Sequence, residues 1–124
     1  MQDRLRFRAW DNKNSKYIYD VQDTYDDSWC ECFGYMFDCI CYENRFVVEQ
    51  CTGLKDKNGK LIYEGDKIQA ETVNGLVKHR VEWNEKQSCF QAVLLSDNLI
   101  ICRLSDEWCS QKEVYGDIHG NLKE

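Results

Sequence analysis

The chain has 124 residues, 43% of them apolar and 31% charged, with 16 basic against 22 acidic side chains and a formal charge of −6. That length suits one domain able to bury a core without disulfides or metal, and no apolar run approaches the roughly 18 residues a spanning helix needs, which excludes a helical membrane protein. The opening MQDRLRFRAW alternates charged with apolar residues where a secretory signal needs an uninterrupted apolar core, so the expected location is the cytoplasm.

Period-two alternation between turn-forming clusters dominates the chain, and a sustained helical spacing is absent. In Leu5 to Trp10, Leu5, Phe7 and Ala9 fall on one face and Arg6, Arg8 and Trp10 on the other, which predicts a strand. DNKNS supplies Asx-type turn chemistry and Lys16 to Tyr19 returns as a second strand. Residues 20–44 are open to strand, helix or loop, and Arg45 to Gln50 reads as a third strand. Leu61 to Tyr63 follows the Asn58-Gly59 turn, Lys67 to Thr72 follows Gly65-Asp66, and Leu76 to Trp83 follows Asn74-Gly75, a strong hairpin signal. Cys89 to Leu95, Leu99 to Leu104 and Val114 to Ile118 complete the set, and with no proline in the chain any of them can be a central strand. The expected class is mainly β and antiparallel, as a single domain over 1–124, with an acidic, Cys- and aromatic-rich insert at 17–50 and a barrel-like core at 51–120.

QCTGLKDKNGKLIYEGDKI, from Gln50 to Ile68, holds two acidic turns that invite a cation-site reading. An EF-hand-type loop with Gly59 at its sixth position would start at Leu54 and end at Gly65, whereas that chemistry needs an acid at the start and a bidentate Glu at the end. It fails at both ends. Asp and Asn side chains that bond their own backbone, together with glycines that accept positive φ, make DKNGK and EGD tight reversals instead.

The same residues carry a family resemblance. FRAWDNKNSKYIY at 7–19, EQCTGLKDKNGKLIYEGDKI at 49–68 and EVYGDIHGN at 113–121 closely resemble the YopX family of small phage and prophage proteins. The family pattern opens on FRAWD, centres on TGLKD-NGK-IYEGD and closes on E-V-G-NI-N; this chain departs from it at Asp117, where Asn is usual, and in its cysteine-rich insert. The resemblance implies a mostly β fold with an SH3-like, partly open barrel in the C-terminal half, a phage or prophage origin and hence a bacterial host cytoplasm. It implies no catalytic residues.

Cysteines are numerous, eight in all. In SWCECFGYMFDCICYE, Cys30, Cys32, Cys39 and Cys41 form two C-x-C pairs six residues apart, and a hairpin turning near Tyr35 would put four thiols on one face. Structural zinc prefers C-x2-C, because two intervening residues let both thiolates wrap one ion. The expectation is therefore packing beside Trp29, Phe33, Phe37 and Ile40, with no metal and no cofactor, and core packing for the isolated Cys51, Cys89, Cys102 and Cys109. His79 shares a predicted apolar strand face with Val77, Val81 and Trp83, which reads as a packed, hydrogen-bonded core histidine; His119 sits in a glycine-flanked turn beside Asp117. No hydrolase elbow, Walker A, H-E-x-x-H or dinucleotide fingerprint is present, so no enzyme activity is expected.

Charge distribution separates the function classes. From Tyr17 to Asn44 there is no Lys or Arg, while Asp20, Asp23, Asp26, Asp27, Glu31, Asp38 and Glu43 give −7, which leaves +1 for the rest of a chain totalling −6. Aromatic residues interleave with those acids. A solvated acidic loop is the plain reading; the sharper one is a docking surface for a host protein, formed by Asp20, Asp23, Tyr25, Asp26, Asp27, Trp29 and Tyr35, in a module that modulates or inhibits that protein. The alternative is a nucleic-acid-binding barrel using Arg6, Arg8, Lys78, Arg80 and Trp83, disfavoured by the net charge. Self-association stays open.

Overall fold

The computed structural model describes residues 5–23 and 44–120. Nine strands are described: β1 (Phe7–Asp11), β2 (Lys16–Tyr19), β3 (Phe46–Lys55), β4 (Leu61–Tyr63), β5 (Asp66–Thr72), β6 (Gly75–Asn84), β7 (Cys89–Leu94), β8 (Ile100–Arg103) and β9 (Glu113–Asp117), with a short 3-10 helix at Val21–Asp23 and a four-residue helix α1 (Asp106–Cys109). All resolved strand pairings are antiparallel. The chain is mainly β, as its alternation predicts.

Contacts group the chain into two compact units, Met1–Cys51 and Thr52–Glu124. The ten residues of β3 run from the first unit into the second, and each unit has an apolar cluster of its own.

In the first unit β1 is central, paired with β2 (Trp10 opposite Tyr17) and with β3 (Ala9 opposite Val48). From Arg8 to Asp11 β1 is buried throughout. Ala9, Val21 and Phe46 form the apolar cluster, with Phe7, Ile18 and Val48 packed against it.

In the second unit β5 to β8 run as a meander and β9 returns to the free edge of β5, giving the order β8-β7-β6-β5-β9. This arrangement is consistent with an SH3-like half-barrel. Its core is Ile62, Ile68, Val81, Ala92, Leu104, Cys109 and Val114. Ser105 caps α1, its hydroxyl oxygen accepting from the Trp108 amide at 3.2 Å, which satisfies one of the donors a helix start leaves over.

Candidate functional site

The acidic turns are built from carboxylates turned inward. Asp56 is buried and its Oδ1 accepts from the amides of Asn58 and Lys60, both at 2.9 Å, while Oδ2 accepts from Val114 N at 3.0 Å. Gly59 takes φ +79 at the corner, and its amide bonds Asp56 O at 3.0 Å. Asp66 Oδ2 accepts from Tyr63 N at 2.8 Å beside Gly65 at φ +87. Asp11 and Asp117 repeat the device, accepting from Lys13 N and His119 N, each at 2.9 Å. The aspartates ending FRAWD, GLKD, YEGD and YGD are thus four buried turn caps. Carboxylates spent on backbone donors leave little lone-pair capacity for a cation, and among the described residues no group of three or more His, Cys, Asp or Glu is placed to hold a metal.

Two further buried ionic contacts organise the first unit. Arg45 grips Asp11 with Nε on Oδ1 and Nη2 on Oδ2, both at 2.8 Å, and this pair holds the Asp11 carboxyl well below its ordinary range despite the opposing effect of burial. Arg8 Nε bonds Glu49 Oε1 at 2.9 Å, Tyr17 Oη donates to the same oxygen at 2.9 Å, and the guanidinium lies 4.0 Å from the Tyr17 ring centroid. Arg8 is 2% exposed. Its expected role as a nucleic-acid contact is corrected accordingly: the Tyr17 ring and the Glu49 carboxylate cover this guanidinium, where no phosphate can reach it.

The other basic candidates are more accessible but partly engaged. Arg6 lies 4.0 Å from Asp20. Lys78 Nζ is 5.2 Å from the Tyr115 ring centroid. Arg80 gives Nε to Glu82 Oε1 at 2.6 Å and Nη1 to Asn98 Oδ1 at 2.8 Å. Trp83 is 40% exposed and meets Phe90 edge to face at 4.9 Å. Lys78 and Arg80 alternate onto one face of β6 and Trp83 onto the other, so the strand does not gather them.

His79 and two thiols form the remaining titratable group. His79 is buried, with Trp108 edge-on at 5.2 Å. Packing matches the expectation; hydrogen bonding does not, since Nδ1 has no partner among the described residues. Burial, and secondarily the charge of Lys112, lowers its pKa. Cys51 and Cys109 are buried, Cys89 and Cys102 half-buried. Burial, and then the neighbouring Cys102, pushes the Cys109 thiol up to about 11, which leaves it a packing group and a poor nucleophile at neutral pH.

Of the expected docking residues, Asp20 is exposed in a left-handed conformation (φ 57) and accepts a hydrogen bond from Gln22 Nε2 at 3.3 Å, and Asp23 ends the 3-10 helix. Tyr25, Asp26, Asp27, Trp29 and Tyr35 lie outside the described residues, as do Cys30, Cys32, Cys39 and Cys41.

A surface that alternation alone did not reveal lies at the end of the five-stranded sheet. Leu99 and Ile100 are each 56% exposed and Ile101 is 42% exposed, three consecutive large apolar residues at an edge strand. The Leu94 amide bonds Leu99 O at 2.9 Å, tying that edge to a groove of about 540 Å³ lined by Leu76, Val77, Lys78, Leu94, Leu95 and Ser96. The legible signal was LIIC, four apolar residues bounded by Asp97-Asn98 and Arg103.

Three comparisons bear on this geometry. The crystal structure of protein EF1440 from Enterococcus faecalis is similar to this chain with a TM-score of 0.60 and 25% identity, covering 92% of each. None of the curated proteins matches the sequence. Among the described residues no helix is long and apolar enough to cross a membrane. The model of the YopX family, described as YopX protein, matches residues 6–123, a span that takes in all four aspartate-capped turns. The chain belongs to the YopX family.

Proposed function

We propose that the protein is a non-enzymatic interaction module of phage or prophage origin, which binds a protein in the cytoplasm of its bacterial host through the acidic, aromatic run that begins at Tyr17. The observation carrying this reading is the absence of any Lys or Arg from Tyr17 to Asn44 against seven carboxylates. Elsewhere the chain treats acids differently: the buried Asp11 and Glu49 each have an arginine of their own within 3 Å. A run of like charge without an internal cation repels itself, a cost that a cationic partner relieves. Aromatic side chains beside the carboxylates supply rigid contact area, and the charges set association rate. At the start of the run Tyr19 and Asp20 are both exposed.

A nucleic-acid reading draws on Lys67 opposite Arg80 and on Lys78 beside Tyr115. It is the weaker one, because Glu82 already engages Arg80 and the net charge of −6 opposes phosphate binding. Capture from a bacterial host lysate, followed by binding kinetics on the purified partner, tests the proposal. Converting Asp20, Asp23, Asp26 and Asp27 together to Asn should slow association and flatten its salt dependence while the melting temperature holds. Unchanged kinetics at low salt would sink the assignment.

A further inference from the structure

The chain carries two Asn-Gly pairs, Asn58-Gly59 and Asn74-Gly75, and all four residues are exposed. An asparagine followed by glycine can cyclise: the glycine amide nitrogen attacks the side-chain Cγ, and no Cβ on the glycine hinders the approach or restricts the backbone. The fold separates the two pairs by what holds that nitrogen. The Gly59 amide donates to Asp56 O at 3.0 Å. Asp56 is itself fixed, since its buried carboxylate accepts from Asn58 N, Lys60 N and Val114 N. The Lys57 amide, one residue on, is tied to Lys112 O at 2.9 Å. Ring closure at Asn58 therefore means opening a turn that is anchored on β9.

At the second pair the fastening is local. Gly75 stands opposite Thr72 in the last pair of the β5–β6 ladder. Thr72 Oγ1 accepts from Asn74 N at 3.2 Å and donates to Gly75 O at 2.8 Å, both on the surface. Residues 71–76 are all exposed. A terminal ladder pair opens at low free energy, whereas a turn tied to core strands opens only with them.

We infer that Asn74-Gly75 is a spontaneous modification site, at which the folded chain converts asparagine to aspartate or isoaspartate with water as the co-reactant, while Asp56 keeps Asn58-Gly59 intact. In the first step the Gly75 nitrogen gives its proton to solvent and bonds to Cγ of Asn74. The bond from Cγ to Nδ2 then breaks, and ammonia leaves with a proton from solvent. Water opens the resulting succinimide: breaking the bond from Gly75 N to Cγ gives aspartate, and breaking that to the main-chain carbonyl carbon gives isoaspartate. Nothing is oxidised or reduced, and the sum is asparagine plus water to the acid plus ammonia. The product adds a negative charge to the hairpin tip, and isoaspartate also lengthens the main chain in the turn that sets the β5–β6 register. The inference is independent of the acidic run.

Incubating the purified full chain in mildly alkaline buffer, then mapping its peptides by mass spectrometry, reads both asparagines in one sample. Asn74 should convert about tenfold or more faster than Asn58 in the folded chain, and the ratio should fall toward unity in denaturant, where neither turn exists. Asp56→Asn, with folding checked by its melting transition, should raise the Asn58 rate and leave that of Asn74 unchanged. Asn74→Gln, whose longer side chain disfavours the ring, should keep the melting temperature and remove the fast product. Equal rates in the folded chain, a faster Asn58, or a ratio that denaturant does not alter overturns the proposal. So does an Asn58 rate unmoved in folded Asp56→Asn, or a fast product that persists in Asn74→Gln.

Discussion

The two units of this protein are held by different physics. In the first, among the described residues, buried carboxylates meet guanidinium groups twice, Glu49 with the buried Arg8 and Asp11 with the half-buried Arg45, and three buried apolar residues form the cluster. In the second, seven buried apolar residues of the described chain form one cluster, and the buried carboxylates Asp56, Asp66 and Asp117 cap its turns. Apolar burial is non-directional and tolerates small shifts, whereas a buried ion pair is favourable only while both partners are present and well aimed. The first unit is therefore specified by geometry and vulnerable to the loss of one atom group, and the second is specified by volume.

The largest expected effect follows from that asymmetry. Glu49→Ala leaves Arg8 buried with neither its carboxylate nor the shared Tyr17 hydroxyl contact, a loss of about 3–5 kcal/mol by the behaviour of broken buried pairs. Hydrogen exchange resolved by residue should show the amides of β1 and β2 losing protection while those of β5 to β7 keep theirs. Equal loss in both units would mean that the two unfold together and that the division is geometric only.

Acid should separate the units as well, in the opposite order. His79, with its pKa lowered from 6.5 by burial, stays neutral in the folded second unit. Below pH 6.5 the unfolded chain takes up a proton there that the folded chain does not, so stability is full above that value and falls as pH drops toward the lowered folded value, by at most about 1.4 kcal/mol per pH unit. Asp11 acts later. Its carboxyl is held down by Arg45, so its contribution is present above the ordinary 3.8 and is lost only as pH falls below that toward the lowered value. Denaturant midpoints from pH 8 to 3 should show the second unit weakening first, and His79→Phe should remove the slope that sets in below pH 6.5. A flat profile in the native chain below pH 6.5 would mean that the folded imidazole takes up its proton as readily as the unfolded one.

How much of this was visible in the sequence depends on what each residue had to reveal. Strand positions were legible because alternation and Asn-Gly or Gly-Asp punctuation are local: Leu61–Tyr63, Lys16–Tyr19 and the Asn74-Gly75 reversal stand where they were expected. The corner reading of DKNG and EGD was legible for the same reason. Arg8 was not, because alternation says which face a side chain takes and cannot say that this guanidinium would be covered, here by the Tyr17 ring and the Glu49 carboxylate of the neighbouring strands. The exposure of Ile100 and Ile101 was hidden likewise: a run of apolar residues reads as a buried strand until the sheet order places it last.

The smallest effect tests the corner aspartates against one another. Asp56 uses both oxygens, Oδ1 for Asn58 and Lys60 and Oδ2 for the buried Val114 amide. Asp56→Asn replaces one acceptor with a donor and strands a buried N–H, a cost of about 1–3 kcal/mol. Among the described residues the Asp117 carboxylate accepts from His119 N, through Oδ1, and an asparagine carbonyl can do the same. It also stands directly opposite Asp66 in the β5–β9 register, with both residues buried. Like charges facing each other across an antiparallel pair are destabilising, by about 0.2–1 kcal/mol. Asp117→Asn should therefore be neutral or raise the melting temperature slightly, in spite of removing a buried group with a hydrogen bond, and the gain should vanish when Asp66 is already Asn. That outcome would give a physical reason for the asparagine usual at this position in the YopX pattern: the turn needs a carbonyl oxygen there, and Asp66 makes a second negative charge unwelcome. A loss of stability as large as that of Asp56→Asn would show instead that the Asp117 carboxylate is held by something its neutral analogue cannot replace.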